Sequence, residues 1–173
     1  MKITKEAVLT DDECQILMTE LDKLRASVIL DQDPINVGLD EINRKLAVLQ
    51  GSRDRVSAIV CDAIINKNLA QRILNSKQAE FDRKSSGLLY TSADIRALKS
   101  ADLRKAGIDT SLADTLLAVQ EADNSVGKAD TFLKCAVAVS KDLEIKNDNL
   151  NQQTYTIRMI INIHSPMKDE FTK

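Results

Sequence analysis

The sequence predicts a mainly all-α protein: a long antiparallel helical hairpin or coiled-coil bundle, with a short connecting helix and a terminal β-strand. Three observations carry this expectation. Aromatic residues make up only 3% of the 173 residues while apolar residues reach 43%, so Leu, Ile, Val and Ala must build the core, as they do in bundles. Five Gly and two Pro leave few places to turn, and few turns in a long chain mean long elements. Apolar residues also recur at spacings of three, four and seven, the period of a helix that buries one face. Residues 1–173 are expected to form a single elongated helical domain.

The first helix is expected over about residues 10–30. Thr10-Asp11-Asp12-Glu13 reads as a capping box, in which two side chains satisfy orphan backbone amides. Leu17, Leu21, Leu24 and Val28 then form one apolar stripe. Asp31-Gln32-Asp33-Pro34 should stop it, because Pro cannot continue the hydrogen-bond ladder.

A second helix is expected over residues 39–84, where no Pro occurs and Gly51 is the only Gly. Leu39, Ile42, Leu46, Leu49, Val56, Val60 and Ala63 follow a heptad-like packing seam, widened by Ile59 and Ile64. At ~1.5 Å per residue such a helix would be roughly 65–70 Å long, so its apolar face needs a second long element. Ser85-Ser86-Gly87 is expected to end it.

A short helix over residues 92–106 should follow, capped at Thr91 or Ser92 and ending near Gly107. Within it Ser92-Ala93-Asp94-Ile95-Arg96 is echoed eight residues later by Ser100-Ala101-Asp102-Leu103-Arg104. We read the echo as chance reuse of good helix residues. A last long helix is expected over residues 111–153, with a seam of Leu116, Val119, Val126, Leu133 and Val137, preceded by Leu112. Asp123 and Asp130 fill skipped seam positions, and Leu143, Leu150 and Ile157 continue at sevens. Polar seam residues commonly set register or partner number at some cost in stability.

Residues 154–164 read differently. Tyr155, Ile157, Met159, Ile161 and Ile163 alternate with other residues at period two, many of them β-branched, before Ser165-Pro166. That favours a strand, which would pair with the Ile3-to-Val8 stretch or with another chain. Residues 165–173 form a polar tail.

Catalysis is poorly supplied. The single histidine, His164, has no Cys or carboxylate cluster beside it and reads as an exposed or edge-strand residue. There is no C-x-x-C or H-x-x-x-H pair to hold a metal, no phosphate loop and no nucleophile elbow. Asp31 and Asp33 resemble the start of a calcium loop, but Pro34 and the missing Gly exclude an EF-hand. No enzyme activity, cofactor, metal or small-molecule substrate is expected. Cys14, Cys61 and Cys135 sit in helical apolar patterns and read as buried, reduced thiols. No signal peptide or membrane-spanning run is visible. The expectation is therefore a soluble, cytoplasmic protein (or, for a viral chain, one found in the virion or host cytoplasm).

Net charge is −2, so no global field attracts nucleic acid. Between residues 77 and 105, however, Lys77, Arg83, Lys84, Arg96, Lys99, Arg104 and Lys105 outnumber Glu80, Asp82, Asp94 and Asp102. These cations could neutralise phosphates, with Tyr90 as a stacking ring. Solvated helix ends remain the favoured reading of the same cluster.

The order long helix, basic connector, short helix, long helix resembles that of phage recombination mediators, which are oligomeric and bind single-stranded DNA. The likeness is one of architecture, without a motif that carries residues across. The sequence favours a structural or assembly subunit of a homo-oligomer or larger protein complex, viral assemblies included. A nucleic-acid-binding mediator is the alternative, and a small helical adaptor or inhibitor of another protein a third.

Overall fold

The computed structural model describes residues 8–30 and 38–164; 91% of these are helical and none is in a strand. The helices are α1 (Asp11–Ala26), α2 (Leu39–Thr91), α3 (Ala93–Ala97), α4 (Ala101–Ser111) and α5 (Ala113–His164). The stop at Asp31–Pro34, the stretch before Val8 and the tail 165–173 lie outside the described residues.

Helix α1 begins as its capping box requires. The Thr10 amide donates to Glu13 Oε2 at 2.9 Å, and the Glu13 amide donates to Thr10 Oγ1 at 3.3 Å. These bonds favour the Glu13 carboxylate and lower its pKa. The helix stops at Ala26, short of residue 30, where the Ser27 hydroxyl donates to the Leu24 carbonyl at 2.7 Å.

Helix α2 does not end at Ser85-Ser86-Gly87 but runs on to Thr91. Nothing there breaks an established ladder: extending a helix fixes one residue per new bond, so Ser and Gly lower its stability without stopping it. The chain turns only where Ser92 begins a new helix. Its hydroxyl accepts from the Ile95 amide at 3.4 Å, and that of Ser100 accepts from the Leu103 amide at 3.1 Å. The echoed five residues are thus the same helix start used twice, and the single helix expected over 92–106 is two. Gly107 lies inside α4 rather than at its end. A Cβ there would sit 3.3 Å from Leu98 Cδ1 and 3.7 Å from Ile95 Cγ1, so a bare backbone lets Ile95 of α3 and the Leu98 that follows it lie close.

The strand expected over residues 154–164 is not found; those residues continue α5. Prolonging a helix already formed avoids the cost of nucleation. The Thr154 and Thr156 hydroxyls also return to the Leu150 and Gln152 carbonyls at 2.9 and 3.0 Å.

Buried positions recur at sevens. In α2 they are Ile42, Leu49, Val56, Ala63 and Ala70; in α5, Ala122, Ala129, Ala136, Leu143 and Leu150. Leu39, Leu46 and Val60 in α2 are half-buried, as are Leu116, Val119, Val126, Leu133 and Val137 in α5. None of the cysteines is buried, contrary to expectation: Cys61 is exposed, Cys14 and Cys135 are half-buried, and all three are free thiols.

The chain divides into two compact units. The first comprises Met1–Cys14 and Cys61–Lys134. Its seam is built mainly from small residues, Ala63, Ala70, Ala122 and Ala129, with Phe132 as the large one. The Leu9 amide donates to Asn66 Oδ1 at 2.8 Å, Lys67 pairs with Asp130, and Lys128 pairs with Asp11 at 2.8 Å. Farther along, Lys84 Nζ lies 3.4 Å from Thr115 Oγ1.

The second comprises Gln15–Val60 and Cys135–Lys173. Its core is larger and aliphatic: Leu17, Leu21, Ile42, Leu49, Val56, Ile59, Leu143 and Leu150. Glu20 accepts two hydrogen bonds from Arg55, which lowers its pKa. Arg25 pairs with Asp142 at 2.9 Å. Lys146 Nζ donates to the carbonyls of Arg25 at 2.6 Å and Val28 at 2.9 Å, satisfying acceptors that the end of α1 leaves open.

Candidate basic surface of residues 77–105

All eight residues of the basic cluster lie in the first unit, on the last part of α2 and on the segment carrying α3 and α4. Local chemistry divides them. Glu80 engages two of the lysines: Lys84 at 2.7 Å, one helical turn on, and Lys77 at 3.9 Å. The Lys84 ammonium, then that of Lys77, holds the Glu80 carboxyl below its usual pKa. Both lysines are therefore partly neutralised within their own helix.

Arg83, Arg96, Lys99, Arg104 and Lys105 are exposed and have no ion-pair partner among the described residues. Asp94 and Asp102, which lower the formal excess, occupy the first turns of α3 and α4, where the helix dipole favours them. The Tyr90 ring is 80% exposed.

Two of these cations border a groove. Arg104 and Lys105 of α4 face Phe81, Ser85 and Leu89 of α2 across a space of about 390 Å³, with Ile108 in its wall. The Ser85 hydroxyl is covered and has no hydrogen-bond partner. The arrangement thus sets apolar side chains beneath a cationic rim. Arg83, Arg96 and Lys99 are not among the groove's lining residues.

Other chemistry is sparse. Among the described residues no group of three or more His, Cys, Asp or Glu is placed to hold a metal ion. No described helix is long and apolar enough to cross a membrane. Burial, then the neighbouring carboxylates of Asp11 and Glu13, pushes the Cys14 thiol above its ordinary pKa, the direction opposite to that of a reactive nucleophile. His164 closes α5 instead of lying on a strand edge.

Asp130, a polar interruption of the seam by sequence spacing, forms a charge network. Asp130 of α5 accepts from Lys134 of its own helix at 2.7 Å and from Lys67 of α2. These two ammonium groups hold its carboxyl down to about 2. The four-residue step from Asp130 to Lys134 was visible in the sequence; the Lys67 partner, distant in the chain, was not. Compared with models of protein families, with curated proteins and with solved structures, the chain matches none.

Proposed function

We propose that this chain is a non-enzymatic, oligomer-forming helical protein that serves as a structural or assembly subunit of a larger complex. In this reading α2 and α5 form an antiparallel coiled-coil hairpin, with α1 alongside. The order of contacts supports it: within the first unit Lys67 meets Asp130 and Lys84 meets Thr115, numbers rising in α2 as they fall in α5. The observation that carries the reading is apolar surface left in water. Ile145, Tyr155 and Ile163 on the C-terminal part of α5 are 60%, 67% and 74% exposed, and Ile29 beyond α1 is 76% exposed; large apolar side chains left in water suit a protein whose helices take a partner.

A second reading has its own support. Five exposed cations without ion-pair partners among the described residues, together with an exposed Tyr90, suit contact with a single-stranded nucleic acid. An adaptor that folds against another protein is the third reading. Mass in solution by light scattering, with and without a short single-stranded DNA, separates them. The assembly reading expects a defined oligomer that ignores DNA. A salt-sensitive mass increase with DNA would replace it with the second reading, and a monomer under all conditions would leave the adaptor.

A further inference from the structure

The groove between α2 and α4 holds more than a cationic rim. Its lining brings together the Phe81 ring, the Arg104 and Lys105 cations, the Asp109 carboxylate and the Ser85 hydroxyl. Its space of about 390 Å³ lies within the ordinary range of small-molecule sites, roughly 300–1,000 Å³, which set a few polar groups among apolar walls. The fold itself uses none of these polar groups. Arg104, Lys105 and Asp109 have no ion-pair partner among the described residues, and the covered Ser85 hydroxyl has no hydrogen-bond partner. A covered donor left unpaired is costly, so a ligand that offers it an acceptor gains what the fold forgoes. Charge is also ordered along α4. Lys105 and Asp109 stand one turn apart, ~6 Å along the axis, with Arg104 beside the lysine. An anion is attracted at one end of this span and repelled at the other, where a hydrogen-bond donor is favoured instead. A fatty acid would leave Asp109 against its apolar tail. A ligand with an anionic group, a flat ring and an amine on that ring fits the whole lining.

We propose that this groove binds one adenine or cytosine nucleotide, either free or as a unit of a single strand. The Arg104 fork and the Lys105 ammonium hold the phosphate. The base rests on Phe81 and Ile108, as bases do on aromatic and apolar side chains. Its exocyclic amine donates to the Asp109 carboxylate, and the Ser85 hydroxyl donates to the ring nitrogen beside that amine. In adenine and cytosine this ring nitrogen carries a free lone pair. Uracil and thymine put a carbonyl and an N–H in the same places, which sets acceptor against Asp109 and donor against Ser85. The groove therefore selects by the order of donor and acceptor as well as by charge. For a unit of a strand the inference rests on the nucleic-acid reading above and names the base class it would favour; for a free nucleotide it stands apart from that reading.

The test is calorimetric titration of the full chain with AMP, CMP, UMP and dTMP, then with oligo(dA), oligo(dC) and oligo(dT), with helicity followed by circular dichroism. AMP and CMP should bind about tenfold tighter than UMP and dTMP, or more. Asp109→Asn, whose amide both donates and accepts, should erase that preference while binding persists. Ser85→Ala should weaken AMP by about tenfold without lowering stability, since the hydroxyl has no partner to lose. Arg104→Gln with Lys105→Gln should abolish AMP binding relative to adenosine and leave helicity unchanged, because both side chains are exposed. Free AMP and CMP bound without the oligonucleotides would uphold the site and remove the nucleic-acid reading. Oligonucleotides bound without regard to base would overturn this proposal alone. No binding of any of these ligands would overturn both. A base preference that survives Asp109→Asn would place the base elsewhere, and the proposal would fall.

Discussion

The backbone amide of Leu9 donates to Asn66 Oδ1 at 2.8 Å, linking residues 57 apart in the chain through an amide side chain that is only 2% exposed. Asn66 stands where the heptad spacing calls for an apolar residue, seven beyond the buried Ile59. A polar group in such a place is tolerated when it is satisfied, and here it also satisfies a buried backbone donor. Asn66→Ala should cost about 1–3 kcal/mol, the desolvation penalty of the orphaned amide. Asn66→Asp should preserve the acceptor while burying a charge, and so should destabilise more at neutral pH than in acid. Chemical denaturation of the three proteins checks both expectations; equal stability of Asn66→Ala and wild type would show the bond to be immaterial.

The aliphatic seam of the second unit gives the largest expected effects. Leu49 and Leu143 have no exposed surface, so Leu49→Ala or Leu143→Ala should cost about 2–5 kcal/mol through lost transfer energy and the cavity left behind. Ile64, which is 44% exposed, serves as the control, and Ile64→Ala should change stability by less than about 1 kcal/mol. Urea midpoints at fixed protein concentration provide the comparison. A similar loss at all three positions would mean that the buried seam had been misplaced.

How much of this was legible depends on the residue doing the packing. Ile42, Leu49, Val56 and Ala63 fall on the α2 seam in both the sequence reading and the structure, because large aliphatic residues at sevens are a strong signal. In α5 the reading followed Val119, Val126 and Leu133, which are half-buried, while the buried positions are Ala122, Ala129 and Ala136. Alanine suits close helix contact but also suits any exposed helical position, so spacing alone does not distinguish the two. Residues 154–164 carried two competing periods, alternation and sevens, and the helix already under way decided between them. Caps were read better where side chain and target are local, as at Thr10 and Glu13. The Ser92 cap is legible in the same way, as one of two candidates with Thr91, whereas the Ser100 cap is hidden in an echo read as chance reuse of helix residues. The basic cluster could be located from composition, but its division by Glu80 into paired and unpaired cations needed the geometry.

Asp130 makes stability depend on acid in a definite direction. Its carboxyl titrates at about 2 rather than at the ordinary 3.8, because the Lys134 and Lys67 ammonium groups favour its charged form. A depressed folded-state value means that the network's contribution is complete above the unfolded value and disappears as pH falls through the folded one. Asp130→Asn should therefore lower the thermal midpoint near neutral pH, and the gap to wild type should close as pH falls from about 4 towards 2. A gap independent of pH would assign the effect to packing rather than charge.

Gly127 lies exposed within α5, and a Cβ added there would meet nothing within 4 Å. Its backbone is right-handed like that of its neighbours, since no described glycine has a positive φ. Replacing it removes unfolded-state freedom without a clash, so Gly127→Ala should stabilise by about 0.5–1 kcal/mol. A loss of stability would indicate that a neighbouring molecule approaches the bare backbone at this point, which mass measurements on the same variant would reveal.

The nucleic-acid reading can be tested through its salt dependence. Single-stranded binding loses affinity with a log–log slope of roughly −0.7 per phosphate neutralised. If Arg83, Arg96, Lys99, Arg104 and Lys105, which have no ion-pair partner among the described residues, each contact one phosphate, the slope should be about −3.5. Arg96→Glu with Arg104→Glu should then abolish retention of single-stranded DNA while leaving oligomer mass unchanged, since both side chains are exposed. Lys77→Gln should matter little, because Glu80 already engages that lysine. Tyr90→Ala should weaken binding by about 1–3 kcal/mol if a base stacks on the ring, without altering the slope. Unchanged retention in the double Glu variant would identify these cations as solvated helix surface and leave assembly as the function to pursue.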